Sequence, residues 1–291
     1  MKPAPFAYFA PHDLDEALDL LAQHGYDGKV LAGGQSLIPT MNFRLAQPAA
    51  LVDINRVAEL AFLEADAGGG LRIGALTRQS TLERSAAVAA RAPLLHATMP
   101  YIAHVQIRNR GTVGGSLAHA DPAAELPAVM VALGARFRLQ SRRGTRWVNA
   151  ADFYIGLFTT ELQEDELIAE IALPAMAPRS GWSIQELARR HGDYAIVGVA
   201  ATVQLDGAGT CSAANLIYFS VGEGPTPAPS ATAQLLGQPV SDGAIAAAAR
   251  AAQQDIEPLG DIHATPAYRR HLVEVLGRRA LQEAFSRAAQ P

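Results

Sequence analysis

The sequence predicts an α+β fold, and three observations predict it. Short strand-like runs alternate with helical patterns through the first part of the chain, and a proline-bearing stretch from Pro174 to Pro178 separates them from three long strand-like runs and three helical stretches. Two glycine segments interrupt the first part: Leu31-Ala32-Gly33-Gly34-Gln35-Ser36-Leu37-Ile38-Pro39 and Arg110-Gly111-Thr112-Val113-Gly114-Gly115-Ser116-Leu117. Finally, 291 residues, 49% of them hydrophobic, exceed the need of one average core, so two or three subdomains are expected.

Asp13 starts the first helix. It caps Asp13-Leu14-Asp15-Glu16 as a capping box, and Leu14, Ala17, Leu18 and Leu21 then share one face until Gly25. Lys29–Ala32 reads as a buried strand that delivers the chain to Gly33-Gly34, and Leu51–Ile54 as a second strand. A second unit begins near residue 58, with a turn at Ala67–Gly70, a strand at Leu71–Ala75 and a helix capped by Thr77 that runs to Arg84. Helices follow at Ala86–Ala90 and Ala97–His104. A second glycine turn occupies 111–115, and Asp121-Pro122-Ala123-Ala124-Glu125 opens a helix to Ala132. Strands at Ala135–Gln140, Thr145–Asn149 and Glu166–Leu173 complete the unit, the first two joined by a turn at Arg142-Arg143-Gly144.

Beyond the linker, Trp182–Leu187, Tyr194–Leu205 and Cys211–Val221 read as a three-stranded antiparallel sheet turning in part at Asp206–Gly209. Helices are expected at Ser230–Leu236, Ser241–Gln254 and Pro266–Arg287.

Composition narrows the function. With 24 basic and 28 acidic residues the net charge is -4, which supplies no field for a nucleic acid and no polybasic membrane patch. No secretory leader pattern and no long apolar run is present, so a soluble, cytoplasmic protein without membrane or nucleic-acid partners is expected. Cys211 is the only cysteine, which excludes an intrachain disulfide and an iron–sulfur cluster held by this chain alone. His96, His104 and His119 follow no ligand spacing, and no metal site is expected.

The glycine segments carry the chemistry. Glycines without Cβ let a backbone approach a ligand closely, and Ser36, Thr112 and Ser116 add hydroxyl donors suited to a phosphate. Neither segment has the G-x-x-x-x-G-K-S/T or G-x-G-x-x-G spacing of the common nucleotide loops. Other residues keep two readings. His119 alone is an ordinary surface histidine, but four residues after Gly115 it is placed to touch a ligand. Asp121 reads as a helix cap or a ligand contact, Tyr194 as a strand aromatic or a ring contact, Arg189-Arg190 as a solvated pair or a subunit contact, and Cys211 as a buried filler.

Three motifs in order resemble one family across nearly the whole chain: Val30 to Pro39, Gln106 to Pro122 and Ala188-Arg189-Arg190-His191-Gly192-Asp193-Tyr194-Ala195. They are similar to the FAD-binding medium subunits of molybdenum hydroxylases, of the carbon monoxide dehydrogenase and xanthine dehydrogenase type; Val221 to Pro229 resembles that family's C-terminal domain. The resemblance implies a two-lobed FAD domain similar to vanillyl-alcohol oxidase-type flavoproteins, with lobes 1–57 and 58–176, and a C-terminal α+β domain, 177–291.

It also implies FAD between the lobes. Leu31, Ala32, Gly33, Gly34, Gln35, Ser36 and Leu37 with Thr112, Val113, Gly114, Gly115 and Ser116 would hold the pyrophosphate region. His119, Asp121 and Glu125 would follow the ribityl chain and flavin edge, Tyr194 would flank the isoalloxazine ring, and Ile102, Ile107, Leu167 and Ile168 would add apolar contacts. Gln185 stands where some eukaryotic relatives carry a lysine near the flavin. No residue is expected to act as a catalytic acid or base. The implied partners are a molybdenum-cofactor large subunit and a small subunit with two 2Fe–2S clusters, in a dimer of heterotrimers. The alternatives are a stand-alone FAD oxidase or reductase of similar fold, and an assembly subunit without cofactor.

Overall fold

The computed structural model describes residues 2–290. A parallel sheet opens the chain, with Ala50–Asp53 between Ala7–Phe9 and Gly28–Leu31. The helix Leu14–His24 covers it, capped by Asp13, whose carboxylate accepts from the Glu16 N–H at 2.8 Å, and closed by Gly25. Ala17, Leu18 and Leu21 bury against Val52 and Ile54, as the apolar spacing requires. The strand Ala7–Phe9 has no sequence signal, because three half-exposed residues flanked by prolines show no period.

The second sheet is antiparallel, in the order Leu63–Ala65, Leu71–Gly74, Leu167–Leu173, Arg136–Ser141, Gly144–Asn149. Short helices at Gln79–Arg84, Ala86–Arg91, Pro93–Thr98, Val105–Arg108, Val113–His119 and Glu125–Ala132 pack over it. Several expectations change here. Ala97–His104 is not one helix: Pro93–Thr98 runs into a tight 3-10 turn at Met99–Tyr101, and Ala103 takes a φ of 43°. Thr77 caps nothing, since its hydroxyl donates to the Phe62 carbonyl at 2.8 Å. Nor does Asp121 cap a helix. Its carboxylate accepts from Ala123 N–H at 2.9 Å in a local turn, and the helix begins later, at Glu125.

The third sheet orders Ser180–Ala188, Ala195–Leu205, Cys211–Phe219 and Thr226–Pro227, all antiparallel. The fourth strand is unread in the sequence because it lies in a proline-rich run, which only an edge position tolerates. Tyr194 precedes the strand instead of belonging to it. Pro229–Leu235, Asp242–Ala251 and Pro266–Ala288 cover one face of this sheet; on the other face Ile184, Ala200, Ile217 and Phe219 join the core beneath the second sheet. Residues on both sides of the Pro174–Pro178 stretch therefore share one core.

Candidate functional site

The two glycine segments meet. The first leaves the strand Gly28–Leu31 at the carboxyl end of the parallel sheet and enters the helix Leu37–Asn42. Gly34 turns the chain at φ 71°, a conformation that costs glycine little. A Cβ on Gly33 would stand 2.7 Å from the Arg110 carbonyl oxygen and 2.8 Å from Gly111 Cα, so only glycine lets the segments touch. Gln35 folds back to donate to the Gly33 carbonyl at 3.0 Å, and Ile38 N–H donates to Gly34 at 3.2 Å. Among the described residues nothing accepts from the N–H groups of Gly33, Gly34, Gln35, Ser36 and Leu37. Five consecutive donors at one turn make a cradle for an anion.

The second segment is not a turn. Thr112 caps the helix Val113–His119, accepting from Gly115 N–H at 3.1 Å, so both glycines of the pair lie in a helical first turn. Gly114 packs on Ala75, where a Cβ would come within 2.5 Å of Ala75 Cβ, and Gly115 would come within 3.7 Å of Ala32 Cβ. The amides of Val113, Gly114, Gly115 and Ser116 donate to Thr77, Ala75 and Thr112. This segment therefore braces the cradle, while the first presents free donors.

A cavity of about 330 Å³ opens at the cradle, lined by Leu31 to Gln35 with Ile38, Pro39, Asp53, Asn55 and Arg110. Asp53, Asn55 and Arg110 lie outside the site residues that the sequence predicts. The available signal is position, since Asp53 ends and Asn55 follows a strand at the carboxyl edge of a parallel sheet.

A second group of polar residues gathers beside the C-terminal sheet. Glu125 starts its helix with only 8% of its surface exposed. Burial, with Asp121 adding to it, pushes its carboxyl up to about 7. Burial, with Glu125 adding to it, pushes Glu186 up to about 8, and its Oε2 is buried without a partner. Desolvation, Asp121 and Glu125 also raise the Tyr194 phenol, although the side chain leaves much of its surface open. Gln185 faces the other way, donating to Glu283 at 2.9 Å in the long C-terminal helix. The residue that reaches this group is thus Glu186, one position on. His119 sits near it in sequence, with its ring 5.3 Å from that of Phe158. Ile107 accepts from Gly111 N–H at 2.7 Å and supports the second segment, while Ile102, Leu167 and Ile168 are buried in the hydrophobic cores.

A family described as the FAD binding domain in molybdopterin dehydrogenase matches residues 4–176. The chain belongs to the FAD-binding subunits of the molybdenum hydroxylases. Residues 182–284 match the CO dehydrogenase flavoprotein C-terminal domain. This flavoprotein subunit is 42% identical to the 6-hydroxypseudooxynicotine dehydrogenase complex subunit alpha of Paenarthrobacter nicotinovorans, covering 99% of this chain and 97% of that one. It is 39% identical to the carbon monoxide dehydrogenase medium chain of Hydrogenophaga pseudoflava, over 99% and 100% of the two chains. The solved structure of carbon monoxide dehydrogenase from that organism superposes with a TM-score of 0.96, at 40% identity and 99% and 100% coverage. Quinoline 2-oxidoreductase from Pseudomonas putida 86 gives 0.94 at 38% identity, covering both chains completely. FAD is the cofactor, and a cradle of free amides with no space for a Cβ at Gly33 fits its pyrophosphate.

Proposed function

We propose that this subunit collects electrons from iron–sulfur clusters on a partner chain and passes them to an external acceptor. FAD, when bound, supplies a carrier able to take electrons singly and give them up in pairs. Gly33 to Leu37 would hold its pyrophosphate through their backbone N–H groups, and the helix capped by Thr112 would fix that turn in place. Leu31 and Ala32 line the cavity, and the Ser116 hydroxyl would add a donor from the second segment. Glu125 and Glu186 hold protons near neutral pH beside Tyr194 and Asp121, a face suited to the flavin edge, and His119, packed on Phe158, would line the approach. Ile102 and Ile168 in one core, Leu167 in another, and the partly buried Ile107 would add apolar contacts to the flavin. The division into lobes 1–57 and 58–176 and a C-terminal domain 177–291 follows from the same reading, as does the likeness to vanillyl-alcohol oxidase-type flavoproteins.

The observation that carries this reading is the single cysteine. Cys211 is buried and single, so the chain has no set of thiolates for a cluster, and any iron–sulfur cluster that feeds the flavin must sit on another chain. The names of the relatives, a medium chain and the subunit of a complex, support partners of two kinds. These are a large subunit with the molybdenum cofactor and a small subunit with two 2Fe–2S clusters, assembled in the cytoplasm as a dimer of heterotrimers. No helix among the described residues is long and apolar enough to cross a membrane.

The test is purification of this chain alone and with its coexpressed neighbours, followed by flavin, iron and molybdenum assays. Flavin in both samples, with iron, molybdenum and substrate-driven flavin reduction only in the complex, is the expected result. Turnover by the isolated chain would instead make it a stand-alone oxidase or reductase, and absence of flavin from both would make it an assembly subunit.

A further inference from the structure

We propose that Arg78 is a positioning residue for the pyrophosphate of FAD, joining the Ala32 and Arg110 carbonyls, each just before the first glycine of its segment, through a polar chain. The proposal rests on the FAD reading and adds a residue outside every motif. Residues 77–79 are already stapled to the second segment by their backbone: Gln79 N–H donates to Gly111 at 3.0 Å, and Val113 N–H donates to Thr77 at 3.0 Å. From that anchored position the Arg78 guanidinium donates to the Arg110 carbonyl through Nη1 and to Asn55 Oδ1 at 2.6 Å through Nη2. Asn55 in turn donates to the Ala32 carbonyl at 2.7 Å and to Asp53 Oδ1 at 2.5 Å, and Asp53 accepts from Tyr8 at 2.5 Å.

The geometry explains what this chain of contacts does. In a planar trans peptide the carbonyl and the following N–H point in opposite directions. Holding the Ala32 carbonyl toward Asn55 therefore turns the Gly33 N–H away from the network, among the free donors of the cradle. Holding the Arg110 carbonyl fixes the surface on which Gly33 rests, at a separation that leaves no slack for a Cβ. A planar guanidinium spans two such acceptors at once, which a single ammonium does less well. Both of these acceptors are neutral oxygens, and no carboxylate among the described residues forms an ion pair with Arg78 or Arg110. Arg78 and Arg110, offset in part by the Asp53 carboxylate that shares the cavity, stand beside five free amides, a setting that favours a dianionic ligand.

The test uses the full chain stripped of flavin, with R78M, R78K and N55A, and with R72M as a control that breaks an ion pair to Glu170 in the second sheet. FAD and ADP affinities are measured by titration, riboflavin serves as a ligand without pyrophosphate, and thermal melting reports folding. R78M is expected to weaken FAD and ADP together by about tenfold, the loss of one charge-assisted contact. Riboflavin binding stays unchanged, R78K falls between, and N55A reproduces the defect. The idea is overturned if R78M and N55A bind ADP like the unaltered chain, or if R72M weakens ADP as much as R78M at equal loss of melting temperature. Failure of the unaltered chain to bind FAD would sink the FAD reading itself, a different result from equal binding by chain and variant.

Discussion

Replacing Glu125 by Gln removes a carboxyl that the fold keeps protonated, and the gain should appear only as pH rises. The side chain is 8% exposed at the start of its helix, and burial displaces its pKa from 4.5 to about 7. Its folded pKa is raised, so its contribution to stability is whole below about 4.5 and is lost as pH climbs through about 7. That displacement corresponds to roughly 3 kcal/mol at full ionisation. Gln keeps the shape and has no charge to bury, so E125Q and the unaltered chain should be nearly equal near pH 4 and diverge by up to roughly 3 kcal/mol in favour of E125Q near pH 9. Taking the difference between the two proteins cancels carboxylates not coupled to Glu125, such as Glu83 beside Arg108, whose pKa moves the other way; Glu186, which Glu125 helps to raise, adds to the gain. The assay is urea unfolding of the flavin-stripped chain across that range. Parallel stability curves would refute the argument, and so would a growing advantage of the unaltered chain at high pH.

Other expectations follow from the same geometry. Gly33→Ala forces a Cβ against the Arg110 backbone, so the variant should be purified with less flavin per chain than the unaltered protein, read by absorbance. Thr112→Ala removes the cap on Gly115 N–H and should cost about 1 kcal/mol in urea unfolding. Glu170 is 2% exposed and accepts from Arg72 at 2.6 and 2.9 Å; because that arginine is partly solvated, Glu170→Gln should cost about 2 kcal/mol and not the full penalty of a buried pair. Cys211 is buried with its thiol pushed up by desolvation, so a thiol reagent should label it slowly in the native chain and fast in urea.

Local periodicity accounts for most elements. Asp13 and Gly25 bound the first helix as their chemistry dictates, and the two residues Arg142-Arg143 close the hairpin between Arg136–Ser141 and Gly144–Asn149. Differences fall where one side chain has two competing partners, some distant in sequence and some local. Thr77 looks like a cap, but the Phe62 carbonyl takes its hydroxyl; Asp121 looks like a cap until its carboxylate closes a smaller turn. Gly114 and Gly115 look like a turn, yet a helix forms because Thr112 caps it and Ala75 leaves no room for side chains.

The sequence by itself determined the family, the cofactor and the segments that approach it, because close backbone approach demands glycine and leaves a mark in the residue order. The tertiary structure alone decided which segment offers free amides, which residue of the Gln185-Glu186 pair meets Glu125, and how Tyr8, Asp53, Asn55 and Arg78 join. Those outcomes depend on hydrogen-bond partners and burial supplied by residues far along the chain, and no local pattern records them.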